Sequence, residues 1–425
     1  MTFLTPVQKE LGRRNFLRAL AGTPALVALG AASAMKGPLS GGPVRLGVIG
    51  VGGQGRTLVN NVDPAYGDLR ALCDINPAQF ASADEMIAKR GATPARHYAE
   101  WREMLQKEDL EAVIIALPLW LHADVTVACL EAGKHVLCEK MMAWDIAGCE
   151  RMLQASERTG RLLEIGYQRQ YNPVYQAAYE GIVRSGQLGD VYHARLVWHR
   201  NANWRRTGDP PSPDYDPSRW GYPTWEHLLN WRLYWKYSKG LFAELASHQV
   251  NVANWFFGAD PDSVTASGGV HRFNDGREVY DHIYATFDYP GGRTATYSSI
   301  ESNAFEDRYE IFFGTKATLF ISGEKEALLF EEGGEQRPTG VQVTPAAGAV
   351  VDASETRPAS APGQATTIPG QGGEMPSPTR NQISRFCAAI RVGTPLACGA
   401  RSGLESARAC IRANEAVEKK TELTL

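Results

Sequence analysis

The chain has 425 residues, 44% of them hydrophobic and 21% charged, with a formal net charge of −3 at pH 7. That balance is ordinary for a soluble folded protein, and it offers no basic excess to attract nucleic acid or an anionic membrane surface, so neither is expected as a partner. Seven cysteines in apolar runs, without a C-x-x-C pair, read as small buried hydrophobes rather than a disulfide framework, and the lack of H-E-x-x-H or clustered Cys/His spacing predicts no metal.

In chain order, the first feature is Arg13-Arg14-Asn15-Phe16-Leu17-Arg18, then an apolar stretch from Ala19 to Leu29 and a small-residue site, Ala32-Ser33-Ala34. It resembles a twin-arginine export signal over residues 1–34, so the mature chain is expected to be periplasmic or otherwise exported, with residues 1–34 outside the fold. The apolar stretch is interrupted by Gly22 and Pro24 and falls well short of the roughly 20 residues that span a bilayer, so no stable anchor is expected. About 390 residues remain, too many for one core and enough for two domains.

Val44 to Gly55 reads VRLGVIGVGGQG. Val44, Leu46, Val48 and Ile49 suit a strand. Gly50 permits a tight turn, Gly52 with Gly53 lets backbone approach a pyrophosphate, and Gly55 lets the following helix pack on the strand. The helix N-terminus then presents unpaired N–H groups to the phosphates. Asp74 closes the next apolar run, Leu69 to Cys73, where a carboxylate accepts hydrogen bonds from ribose hydroxyls and repels a 2′-phosphate. The pattern predicts a dinucleotide site with NAD preferred over NADP. Loading a nucleotide before export suits the twin-arginine route, which carries folded proteins.

Further apolar runs at Ala112–Ala116, His135–Cys138 and Leu162–Ile165 alternate with helical patterns. One opens at Asn76-Pro77 and runs through Arg90, one covers His122–Ala132, and one covers Asp145–Arg158. This alternation predicts an α/β fold, an N-terminal Rossmann domain over 44–165 with a doubly wound parallel sheet. Beyond it, strand patterns at Val191–Trp198, Ser263–Gly269, His282–Asp288, Thr294–Ile300, Tyr309–Phe313 and Ala317–Ile321 predict an α+β substrate domain over 166–425 with a largely antiparallel open sheet. A Gly/Pro-rich stretch at about 333–378 reads as an insertion, and helical patterns at Arg380–Val392 and Gly403–Glu418 close the chain.

The run Ile114 to His122, IIALPLWLH, and the run Leu130 to Lys140, LEAGKHVLCEK, together with the glycine loop resemble the Gfo/Idh/MocA family of NAD(P)-dependent sugar and cyclitol dehydrogenases. The family's Glu-Lys-Pro signature is here Glu139-Lys140-Met141. The resemblance implies that Pro118, His122 and Glu139 belong to the cofactor site and that Lys140 is catalytic, its ammonium stabilising alkoxide character at the reacting hydroxyl. Glu244, His248 and Asn251, at i, i+4 and i+7, resemble the family's Asp-x-x-x-His-x-x-Asp pattern, with Glu244 in place of the first Asp and Asn251 in place of the last. His248 is then the general base and Glu244 its orienting partner or a sugar ligand.

Asn251, Tyr167 and Arg169 are expected at the substrate, Trp204 and Trp231 as stacking platforms, and Arg205, Arg206 and Arg232 as donors to hydroxyls. A small carbohydrate substrate and a homo-oligomer through the substrate-domain sheet are the partners implied. Three functions stay open: a hydride-transferring oxidoreductase with NAD, a redox-neutral glycoside hydrolase that retains tightly bound NAD, and a non-catalytic NAD-bound sugar sensor.

Overall fold

The computed structural model describes residues 4–21, 39–332, 341–344, 348–351 and 377–425. Ala32-Ser33-Ala34 and most of the insertion lie outside the described residues. Among the described residues no helix is long and apolar enough to cross a membrane.

Six parallel strands form the first sheet in the order β3-β2-β1-β4-β5-β6: β1 Val44–Ile49, β2 Gly67–Cys73, β3 Arg96–Tyr98, β4 Ala112–Ile115, β5 His135–Cys138 and β6 Leu163–Ile165. This is the doubly wound order with its switch point between β1 and β4, where a crevice opens at the carboxyl ends of the strands. All four residues of β4 are buried, because helices cover both faces of the sheet. The helix Ile146–Thr159 shows how sequence sets such an element: the Asp145 side chain accepts from Gly148 N at 2.6 Å, and Gly160, at φ +64°, ends it. Strand β3 has no apolar run and escapes a periodicity reading; two of its three residues are exposed.

The second sheet has the order β13-β12-β11-β7-β10-β9-β8-β16. Its strands are β7 Val191–His199, β8 Ser263–Gly269, β9 His282–Tyr289, β10 Arg293–Ile300, β11 Arg308–Gly314, β12 Ala317–Ser322, β13 Glu326–Glu331 and β16 Leu423–Thr424. Only the pairing of β7 with β10 is parallel; the other neighbours run antiparallel. The helix Ser247–Phe257, buried along nearly its whole length, packs in the main core and ends at Gly258, φ +62°. Within the insertion, β14 Val341–Thr344 and β15 Gly348–Val351 pair as a hairpin.

Two segments sit differently from the sequence expectation. Helix Pro378–Val392, grouped by sequence order with the second domain, packs Ile383, Phe386 and Cys387 into the core beneath β1 and β2. Its Arg391 makes two hydrogen bonds to Glu111, at 2.8 and 2.7 Å, and holds that carboxyl down at about 2. The chain therefore returns to the first domain before its last helix, Ala400–Lys419, crosses back toward β8.

The second segment is Pro6–Ala21, expected to stand outside the fold. It is a helix docked on β13. Phe16 and Leu20, one turn apart, are buried; Gly12 seats against Leu328 and Phe330, and Arg13 pairs with Glu326. An edge strand needs cover, and the spacing of Phe16 and Leu20 supplies an apolar stripe to provide it.

Candidate active site

The glycine loop is built by close contact. Gly50 has φ +90°, and a Cβ there would lie 2.4 Å from the Ala116 carbonyl oxygen; a Cβ on Gly55 would lie 1.9 Å from the Gly50 oxygen. No side chain can replace either glycine without moving the turn. A Cβ on Gly52 or Gly53 would meet nothing within 4 Å, so their backbone faces open space at the start of helix Gly53–Asn61, where phosphates bind. Asp74 lines the same space. Its two oxygens accept from Val51 N at 2.7 Å and Asn76 N at 2.8 Å, which fixes the carboxylate and leaves further lone pairs for ribose hydroxyls. Burial pushes its pKa up while these backbone bonds oppose the shift. The cradle, the helix start and the acid fit a dinucleotide.

A crevice of about 670 Å³ runs from this loop into the second domain, lined by Gly50, Gly52, Gly53, Asp74, Pro118, His122, Glu139, Lys140, Trp204, Trp231, Glu244 and His248 among others. His122 is buried, its Nδ1 2.9 Å from Met141 O and its Nε2 2.9 Å from Leu117 O, so it ties the β4 loop to the β5 loop. Glu139 accepts from Gln54 Nε2 at 2.7 Å, and burial raises its pKa. Gln54, on the glycine loop, had no signal in the sequence.

Lys140 follows β5, and the Lys140–Met141 peptide is cis. Its Nζ donates to the Glu244 backbone oxygen at 2.8 Å. Burial lowers its pKa, against the pull of Glu244 and Glu139. His248 lies between Trp198 and Tyr167, with ring centroids at 5.7 and 6.2 Å. Its Nδ1 is buried without a hydrogen-bond partner, which leaves Nε2 as the nitrogen available to a substrate. Burial, then the charges of Lys140 and Arg169, hold it well below the ordinary histidine value, so the ring is neutral.

Several expected site residues stand elsewhere. Residues Phe242–Ala246 form a π-helical turn ahead of the regular helix, so the i, i+4, i+7 spacing does not place Glu244, His248 and Asn251 on one face. The Glu244 carboxylate binds Arg232 Nε at 3.0 Å and Ser238 Oγ at 3.2 Å rather than orienting His248. Its pKa is lowered, because Arg232 and Lys140 outweigh burial. Asn251 is buried away from the crevice, bonded to Gln170 Nε2 at 2.9 Å and Ser406 Oγ at 3.0 Å.

Arg169 is buried in ion pairs with Glu310 at 2.6 Å and Glu324 at 2.9 Å. Its guanidinium lies 5.0 Å from the Trp198 ring, and its charge also acts on His248. Tyr167 is buried beside His248, and the crevice wall is made by Gln168 instead. The short 3₁₀ turn Gln168–Tyr171 decides which side chains face inward, and no periodicity announces it. Arg205 is bound to Asp275 and Glu226, outside the lining. Trp204 and Trp231 do line the crevice. Each is covered by an arginine at 4.2 Å, Arg200 and Arg232, and these pair with Glu301 and Glu244.

Residues 44–167 match the oxidoreductase family with an NAD-binding Rossmann fold, and residues 176–320 match the GFO/IDH/MocA C-terminal domain. The chain belongs to the Gfo/Idh/MocA oxidoreductase family. The chain is 31% identical over 200 residues to an inositol 2-dehydrogenase of Salmonella paratyphi B, a match covering 45% of this chain and 54% of the relative. It thus spans about half the length of that relative. The fold matches the WlbA dehydrogenase from Bordetella pertussis, solved with NADH and UDP-GlcNAcA, at TM-score 0.67 and 18% identity over 90% of this chain and 99% of that one. It also matches the aldose-aldose oxidoreductase from Caulobacter crescentus, complexed with glycerol, at TM-score 0.66 and 20% identity over 90% and 100%. NAD is the cofactor of this Gfo/Idh/MocA protein, and Asp74→Ala is expected to weaken NAD by tenfold or more, the scale of a hydrogen bond to a charged group, while relaxing discrimination against NADP. Titration of both nucleotides checks this, and tighter NADP than NAD binding by the wild type would contradict the role given to Asp74.

Proposed function

We propose that this protein is an NAD-dependent oxidoreductase of a sugar or cyclitol hydroxyl. The observation that carries the reading is the pairing of Lys140 with neutral His248 in one crevice continuous with the glycine loop. Bound NAD supplies the acceptor for the hydride. The chain does the rest. His248 Nε2 takes the hydroxyl proton, and Lys140 Nζ, held by the Glu244 carbonyl, faces the oxygen as negative charge develops on it. Arg232 and Ser238 fix Glu244, which keeps that carbonyl in place. Trp204 and Trp231 offer planes to the C–H faces of a ring, each stiffened by its arginine.

Similarity to an inositol 2-dehydrogenase and the fold shared with an aldose-aldose oxidoreductase support this substrate class. Adding a panel of aldoses and inositols to NAD-loaded protein is expected to raise absorbance in the NADH band with at least one of them. No response to any of the panel, in protein shown to hold NAD, would favour a non-catalytic sensor.

The proposal includes export. Arg13 and Arg14 ahead of the apolar stretch support the twin-arginine route, and replacing both with Lys is expected to keep the protein in the cytoplasm. Cell fractionation checks it; unchanged delivery of the double variant would exclude the route.

A further inference from the structure

The segment from Trp204 to Tyr222, in the second domain, lines the crevice and touches the nucleotide domain. Tyr215 Oη donates to the Ile75 backbone oxygen at 3.1 Å, one residue past the ribose-binding Asp74. Trp120 Nε1, in the loop after β4, donates to Tyr222 Oη at 3.1 Å, with the two rings packed edge to face. Gly221, φ +85°, lets the strap press on Trp120: a Cβ there would lie 2.9 Å from the indole. These contacts place a wall from one domain over the cofactor groove of the other.

Two arginines of this segment, Arg206 and Arg219, line the crevice without an ion pair among the described residues, and Arg219 lies over the Trp220 ring. Lys140, Arg200 and Arg232 also line the crevice, and each is bonded to Glu244 or Glu301. The Arg206 guanidinium lines it too, with no hydrogen bond or ion pair among the described residues. Its position is not left to chance. The buried Asn230 side chain accepts from Arg206 N at 2.6 Å and donates to Arg206 O at 3.0 Å, a two-point grip on the backbone. Arg206 lies two residues after Trp204, which lines the crevice, and nine before Tyr215, which bonds to Ile75, so the segment carries it between the substrate end and the adenosine end of the groove. An unpaired guanidinium there calls for an oxyanion, and a dinucleotide carries its pyrophosphate between those ends.

We propose that residues 204–222 form a clamp over bound NAD, in which Arg206 binds the pyrophosphate and Tyr215 closes the adenosine end. The clamp rests on NAD as the cofactor but not on any sugar being oxidised. It sets how slowly the nucleotide leaves, which is what a cycle returning its hydride to a second sugar requires.

The test measures release of NADH from the full-length protein, with pyruvate and lactate dehydrogenase consuming whatever is freed. No carbohydrate is added, so the outcome is independent of the substrate assignment. Arg206→Gln is expected to speed release about tenfold or more, and Arg206→Lys less, since it keeps the charge but loses the fork. Tyr215→Phe is expected to speed it a few-fold, about the scale of one neutral hydrogen bond. Added salt should accelerate release from the wild type more than from Arg206→Gln. Unfolding midpoints identify any variant that fails to fold, and Arg206→Lys remains a readout if Arg206→Gln is lost. Wild-type release from a folded Arg206→Gln protein would overturn the clamp. So would a raised KM for sugar with unchanged release, since Arg206 would then serve a substrate anion. Wild-type protein that holds no NADH would overturn both the clamp and the cofactor.

Discussion

Replacing Lys140 or His248 with Ala is expected to leave nucleotide binding intact and to reduce turnover by about 10² or more, the scale of a lost general base or electrostatic donor. Lys140 is held over the reacting end by a backbone carbonyl, and His248 offers one ring nitrogen to the substrate while the other is buried. In the proposed reaction both serve one proton-and-hydride event, so the double variant should cost less than the sum of the two free energies. Their titration also shapes the pH profile. Because the folded pKa of His248 lies well below that of a free histidine, the base form persists as pH falls through 6.5, and the acid limb of kcat/KM lies below that pH. Lys140, lowered by burial, loses its charge earlier than an exposed lysine, so the alkaline limb falls below the ordinary lysine range. A His248→Ala enzyme with near-normal turnover and an unchanged profile would remove the base assignment.

Arg169→Met is expected to act on stability rather than on substrate affinity. The guanidinium is buried between Glu310, itself bonded to Tyr175 and Gln249, and Glu324. Removing it leaves a buried carboxylate uncompensated, at a cost of about 3–5 kcal/mol. Denaturant unfolding measures the loss directly. The variant's KM for sugar should change little where it remains folded. A large KM effect with wild-type stability would return Arg169 to the substrate contacts.

The contrast between Lys140 and Arg169 explains what was legible in the sequence. Gly50, Asp74 and Lys140 follow parallel strands and Gly55 stands in the first turn of the helix Gly53–Asn61, where a run of buried aliphatics fixes the frame and one residue type fits each position. Strand β3 escaped because Arg96, His97 and Tyr98 carry no apolar pattern. In the second domain, spacing misled at Glu244 and Asn251 because a π turn shifts the phase of the helix by part of a turn. Arg169 misled for a different reason: its partners are 141 and 155 residues away, and nothing local distinguishes a buried structural arginine from a substrate ligand. Trp204 and Trp231 line the crevice, but composition alone could not separate them from the tryptophans that only pack.

The most direct test of the central claim follows a label from carbon to cofactor. NAD-loaded protein is incubated with sugars and inositols deuterated at every carbinol carbon, and the nucleotide is released and weighed by mass spectrometry. Wild-type protein is expected to place one deuterium on the nicotinamide with at least one of these compounds, and Lys140→Ala to place little or none in the same time. Nicotinamide that stays unlabelled in wild-type protein with bound NAD, across the whole panel, would contradict the account.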